Sequence, residues 1–138
     1  MHVSRQVLGS LFATLALACS SSDAASGVNE VDLTSDSGAL RVVVSSEPDT
    51  LPVRGLNQIY FDVRSSDSGQ ALDDLELSMT ALMPSHSHGS PDVPPATALG
   101  GGRYRFDNVV LSMPGLWEFR TTVTGPLEDH VTPRFEVE

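Results

Sequence analysis

The feature that most constrains this chain is a set of short runs in which apolar and polar residues alternate. In residues 57–65, NQIYFDVRS, the side chains of Ile59, Phe61 and Val63 fall on one side of an extended strand. An alternation with period two is typical of a β-strand that buries one face and exposes the other. No window carries a sustained helical repeat of apolar residues, so an all-β fold is predicted.

Further runs with strand character are separated by Gly, Pro, Asn and Asp, which favour turns. They are LRVVVSS (40–46), LELSMTAL (75–82), RYRFDNVVLS (103–112), LWEFRTTVT (116–124) and RFEVE (134–138). About seven short antiparallel strands in roughly 100 residues predict an immunoglobulin-like β-sandwich. No disulfide can link the sheets, because the chain has one cysteine. The predicted core therefore rests on packing, with contributions from Ile59, Phe61, Tyr104, Phe106, Trp117 and Phe119.

One connection is longer than most loops of a compact domain. Residues 83–102 contain four prolines and four glycines. A loop of this length is functional, disordered, or contains an unrecognised strand, for which TAL (97–99) is the candidate.

The N-terminal residues 1–18 have the layout of an export signal, with Arg5 ahead of a mostly apolar run from Val7 to Ala18. This run is shorter than the roughly 20 residues of a membrane-spanning helix. Small residues precede Cys19, and the arrangement resembles the lipobox of bacterial lipoproteins, which predicts that Cys19 is lipidated and anchors the chain to a membrane. The alternative is a plain secretory signal that leaves a free thiol.

Residues 19–38 are predicted to be the lipidated cysteine and a flexible acidic tether, and residues 39–138 the folded domain. The tether holds few apolar residues and four acids, so it buries too little surface to offset the entropy of ordering.

The charge of the chain excludes one class of partner. The net charge is −10, all 8 basic residues are arginines, and loss of residues 1–18 removes only Arg5, which leaves about −11. A surface this acidic repels phosphate backbones, so no nucleic-acid partner is expected.

From the export signal and Cys19, the predicted location is the cell envelope, as a periplasm-facing lipoprotein.

The sequence carries none of the common enzyme signatures, such as a nucleophile elbow, a phosphate-binding glycine loop with lysine or a His-Glu-x-x-His helix. We therefore expect no enzymatic activity. The densest acid group, Asp73, Asp74 and Glu76, fits no calcium-loop spacing and is interpreted as a solvated turn.

The pair His86 and His88 lies in LMPSHSHG (82–89). In an extended segment, residues two apart point to the same side, so the two imidazoles can approach one ion. Pro84 and Gly89 argue against a helix at this place. The spacing is compatible with two nitrogen ligands.

Methionine is the best candidate to complete such a site. Met83 and Met113 lie beside prolines at the ends of predicted strands, and a thioether is a soft ligand that favours Cu(I). Copper is preferred over zinc, and a blue-copper centre is excluded because it requires a cysteine inside the domain. His130 and Asp92 are reserve ligands. The alternative is a solvated loop with methionines that fill the edge of the core.

Two motifs together carry a family resemblance. MPSHSHG (83–89), followed by GGRYRFDNVVLSMPGLWEFRTTV (101–123), resembles the YtkA-like domain, and also the periplasmic part of FixH-type proteins, over roughly residues 40–138. The matching motif residues are Met83, Pro84, His86, His88, Gly89, Tyr104, Met113, Pro114, Gly115 and Trp117.

The resemblance implies an exported immunoglobulin-like sandwich without enzymatic activity and with a link to copper handling, since relatives accompany copper transport and oxidase assembly. Two hypotheses remain open. One is a lipid-anchored protein that binds or hands over copper. The other is a metal-free binding or structural module in which both motifs only build the fold.

Overall fold

The structure, a computed structural model, describes residues 30–138, which form β-strands connected by turns and loops. The predicted export signal and Cys19 lie outside the described residues. The strands are β1 Val31–Thr34, β2 Leu40–Glu47, β3 Gly55–Ser65, β4 Glu76–Met83, β5 His88–Gly89, β6 Thr97–Gly100, β7 Arg103–Leu111, β8 Gly115–Thr124, β9 Asp129–Val131 and β10 Arg134–Val137. Between residues 30 and 138, no helix has the length and apolar character needed to cross a membrane.

The strands form two antiparallel sheets that pack face to face. The first has the order β1-β2-β3-β7-β6, and the second has the order β10-β8-β4-β5 with β9 also paired to β8. The prediction of an all-β sandwich is confirmed. All six predicted core side chains are buried, and the rings of Phe61 and Phe106 meet edge to face at 5.3 Å.

The folded domain begins earlier than the sequence predicted. Residues 31–38 were assigned to the tether, but Val31–Thr34 form β1 along the edge of β2. Val31 and Leu33 pack against the core, and the Ser37 hydroxyl donates a hydrogen bond to Asp129, 2.5 Å away. This polar stretch, with only two apolar residues, forms a strand because the edge of β2 is available for hydrogen bonding.

Asp129 attaches the turn between β1 and β2 to the start of β9. Its side chain is 5% exposed. Burial raises the pKa of Asp129, but hydrogen bonds from the hydroxyls of Ser35 and Ser37 and from the backbone N–H groups of Ser37 and His130 outweigh burial and lower the pKa to about 2.

We expect this carboxylate to make the stability of the domain depend on pH. A depressed pKa stabilises the fold above the unfolded value of about 3.9, and the contribution is lost as pH falls through about 2. Asp129→Asn should lower the free energy of unfolding by about 1–2 kcal/mol at pH 7, and the difference from the native chain should shrink below pH 4. Urea unfolding from pH 7 to pH 2 measures both, with Asp36→Asn at an exposed neighbouring position as control. Equal pH dependence of the Asp129 variant and the native chain would contradict the assignment.

The long connection 83–102 covers the edge of β4 and crosses between the sheets. The Ser90 N–H donates to the Ala81 carbonyl at 2.8 Å, and the Ser90 hydroxyl accepts a hydrogen bond from the Val110 N–H in the other sheet at 3.1 Å. The TAL candidate is confirmed as part of β6. Three prolines in residues 91–95 keep the covered edge from offering a continuous ladder to another strand.

Candidate functional site

The two histidines lie in a tight hairpin at the end of β4. The chain turns through residues 84–87 and returns as β5, where His88 pairs with Met83. The His86 N–H donates to the Met83 carbonyl at 3.3 Å, and Ser87 has a φ of +52°. The expected extended segment was wrong, because proline favours a turn and a residue in the left-handed region lets the hairpin close.

The imidazole rings nevertheless lie close together. Both histidines are exposed, and their ring centroids are 6.5 Å apart with planes inclined by 30°. An ion bound to a ring nitrogen at about 2.0 Å lies roughly 3.2 Å from the centroid, so two imidazoles on one ion have centroids up to about 6.4 Å apart. That upper limit applies to imidazoles on opposite sides of the ion, and a tetrahedral shell that also holds other ligands requires centroids about 5 Å apart. Both side chains therefore have to turn toward each other to share an ion, and their exposure leaves them free to do so.

Met83 points into the core instead of toward solvent. The residue is 1% exposed, and its terminal methyl lies 2.8 Å from the position that a Cβ on residue 115 would occupy. Gly115 has a φ of +127°, where side chains are strained. The Met-Pro-Gly turn of residues 113–115 therefore packs directly on Met83, and the two sequence motifs meet at one end of the sandwich. We call this end the histidine end, defined by the turns 84–87 and 112–114 and the loop 48–54.

Met113 lies at the surface of the same turn, partly buried against the core. Its carbonyl accepts a hydrogen bond from the indole N–H of Trp117 at 3.0 Å, and the Trp117 side chain is fully buried. Pro114 follows Met113 and leads into β8 at Gly115. The position of the turn is thus coupled to the packing of the core.

The remaining motif residues have structural roles. Gly89 allows β5 to approach β4, since a Cβ there would lie 3.2 Å from the Ala81 carbonyl oxygen. The Tyr104 hydroxyl donates to the Leu72 carbonyl at 2.5 Å and accepts from the Leu75 N–H at 3.2 Å. Tyr104 therefore holds the connection before β4 in place at the opposite end of the sandwich. It does not belong to the histidine end.

The two reserve ligands lie apart from the pair. His130 is exposed on β9 and pairs with Thr122 of β8. Leu82, next to the hairpin, pairs with Glu118, which lies four residues earlier on β8. Asp92 lies in the crossing segment and lines a cavity of about 210 Å³ together with Met79 and Ala81. Neither joins His86 and His88.

The histidine end is acidic. Val137 pairs with Gly115, and this pairing brings the C-terminal strand beside the Met-Pro-Gly turn. Asp49, Glu136 and Glu138 line a cavity of about 210 Å³ at this end. Sequence reasoning did not place these carboxylates at the same end as the histidines, because loop 48–54 and the C-terminus meet only in the folded sheet. β10 and the histidine hairpin lie at opposite edges of the second sheet, so the carboxylates do not line the hairpin itself. Their field attracts cations.

The donor set limits the ions that this end can hold. Among residues 30–138, there is no group of three or more His, Cys, Asp or Glu side chains placed so that they could hold a metal ion together. A site built on His86 and His88 therefore needs other ligands, and this end of the sandwich offers the thioethers of Met83, which pairs with His88, and of Met113 in the Met-Pro-Gly turn. Two imidazoles with thioethers form a donor set that suits Cu(I).

Fold and site together define an antiparallel β-sandwich with a Met/His cluster at one end. The family model described as YtkA-like matches residues 22–122, which include the first motif and all but the last residue of the second and extend into β8. This chain belongs to the YtkA-like family, and the predicted resemblance to the YtkA-like domain is confirmed. Comparison with curated proteins and with solved structures returned no match.

Proposed function

We propose that this protein is exported and lipid-anchored in the cell envelope, and that it binds or hands over copper without catalysing a reaction. The ligands are His86 and His88, joined by Met83 and Met113. The observation that carries the proposal is the contact between Met83 and Gly115, since it joins the His-x-His hairpin to the Met-Pro-Gly turn.

The two kinds of ligand differ in accessibility. His86 and His88 are exposed and ready to receive an ion, whereas Met83 is buried. Methionine has three rotatable bonds, so its sulfur can turn from the core toward the hairpin when an ion arrives. We infer that the histidines bind first and that Met83 completes the site.

The envelope location rests on the sequence of the N-terminus. An apolar run of export-signal length precedes Cys19, and lipidation of the only thiol explains how a single cysteine is kept from oxidation outside the cytoplasm. A protein of copper transport or oxidase assembly is the partner that the family resemblance implies.

Copper titration of residues 20–138, which include every described strand, tests the proposal. Competition with a Cu(I) chelator should reveal one equivalent bound with sub-micromolar affinity. Because the indole of Trp117 is bonded to the Met113 carbonyl, its fluorescence should change in the same titration. The absence of competition with the chelator would refute copper binding.

Replacing the methionines separates thioether binding from core packing. We expect Met83→Leu and Met113→Leu each to weaken Cu(I) binding by about tenfold, or 1.4 kcal/mol, and to affect Cu(II) much less, because a thioether prefers the softer ion. Met79→Leu is the matched control, since Met79 is a buried methionine of the same strand that lies away from the hairpin. An equal loss of affinity in all three variants would show that packing, and not sulfur ligation, is responsible.

A second candidate is a metal-free binding or structural module. The roles of Gly89, Tyr104 and Trp117 in strand approach, loop attachment and core packing favour it, as does the burial of Met83. It predicts that both histidines can be replaced without loss of stability or function in the cell.

A further inference from the structure

The direction of β1 determines where the chain enters the sandwich. Val31 pairs with Val44, and Thr34 pairs with Arg41, so β1 runs antiparallel to β2. β2 runs toward Glu47, at the histidine end, where Gly55 of the next strand pairs with Leu111. The chain therefore enters from the histidine end and runs away from it.

The number of residues between Cys19 and β1 limits how the domain can be oriented. The 12 residues from Cys19 to Glu30 span at most about 40 Å. β3, with 11 residues, extends about 37 Å and runs from one end of the sandwich to the other. Val31 pairs with Val44, which is three residues before Glu47. Val31 therefore lies about 10 Å from the histidine end. Turning the opposite end toward the membrane would consume most of the reach of the connecting segment, whereas the histidine end needs little of it.

The opposite end is also acidic, with Asp67, Asp73 and Asp74 exposed, so the tether length selects which end faces the membrane and the charge limits only what that end can contact. At the histidine end, Glu47, Asp49, Glu136 and Glu138 are exposed, and Arg54 is the basic residue of the loop 48–54. Anionic lipid repels such a surface, so lipid itself is a poor docking partner. A protein surface with basic residues around a copper site complements it.

We propose that the histidine end faces the membrane and docks on a membrane protein whose exposed face carries basic residues around its copper-exchange site. The inference rests on the lipid anchor and the copper site of the proposed function. It adds the orientation of the domain and the chemistry of the partner.

Fluorescent labels at the two ends test the orientation in the full-length protein. With Cys19 lipidated, an introduced cysteine is the only free thiol, because the chain has one cysteine. Ser85→Cys places a label on the hairpin, and Ser68→Cys places one on the exposed turn after β3, at the opposite end. Quenching by headgroup-labelled lipid in vesicles should be several-fold stronger at position 85. Equal or reversed quenching would overturn the orientation.

A longer connection is the matched control. Duplicating residues 20–30 should reduce the difference between the two labels, since the restriction comes from the length of that segment. Adding anionic lipid to the vesicles should weaken quenching at position 85, because the acidic domain is repelled and this end offers no basic cluster to offset the repulsion. Stronger quenching with anionic lipid would show that the end docks on lipid, and would overturn the protein partner.

The outcomes separate this inference from the proposed function. Labelling of the parent chain at Cys19 would refute the lipid anchor and the orientation together, while copper binding by residues 20–138 is measured without either. If residues 20–138 bind no copper but quenching is still stronger at position 85 than at position 68, the copper site and the copper-exchange partner are refuted and the orientation is not.

Discussion

Replacing both His86 and His88 with alanine is expected to weaken Cu(I) binding by about 100-fold or more, equivalent to about 2.7 kcal/mol. The variant loses both nitrogen ligands, and Met83 and Met113 cannot complete a shell without them. Because both side chains are exposed, their removal should leave the melting temperature of the metal-free domain unchanged. Chelator competition and thermal unfolding of residues 20–138 measure the two quantities.

The control is His130→Ala, which removes an exposed histidine from β9. It should leave copper affinity at the native value. Unchanged affinity in the double variant, or an equal loss in the control, would show that the hairpin is not the site. The metal-free module would then be the better account of the motifs.

Trp117→Ala is expected to lower the free energy of unfolding by about 3–5 kcal/mol, the usual cost of deleting a buried aromatic side chain. Trp117 is fully buried, and its indole N–H is bonded to the Met113 carbonyl, so the variant loses core volume and the attachment of the Met-Pro-Gly turn. Small domains are stable by only about 5–15 kcal/mol, so this loss removes a large fraction of the total and should move the urea midpoint to a much lower concentration. Urea unfolding followed by circular dichroism measures the loss without relying on the missing tryptophan.

Two substitutions separate the causes of this loss. Trp117→Phe keeps much of the buried volume and removes the hydrogen bond, so its stability should lie between those of the native chain and the alanine variant. Leu116→Ala alters the adjacent residue, which is 40% exposed, and should cost much less. If Trp117→Ala lowered the free energy of unfolding as little as Leu116→Ala does, the central position of Trp117 in the core would be contradicted.

Most of the fold is predictable because alternation along a strand records which side chains are buried. In β3, the predicted face of Ile59, Phe61 and Val63 is the buried face. The short strands β1 and β9 were missed, since four and three residues cannot show a period. They are strands because β2 and β8 offer edges with which they can pair, and Asp129 links β9 to the turn between β1 and β2.

The candidate site was predictable in its residue types but not in its geometry. The spacing of His86 and His88 suggested that two imidazoles converge, and their rings do lie close together. The spacing did not reveal that Ser87 adopts the left-handed conformation, because the conformation depends on the closure of a hairpin onto Met83.

By itself, the sequence determined the all-β class, most of the strands, the core aromatics and the motifs of a YtkA-like chain, because these follow from local alternation and from short runs of residues. Only the tertiary structure decided that Met83 is buried against Gly115, that carboxylates from loop 48–54 and the C-terminus gather at the histidine end, and that the chain enters from that end. The physical reason is that these relations join residues far apart in the chain, and strand pairing and sheet packing alone bring such residues together.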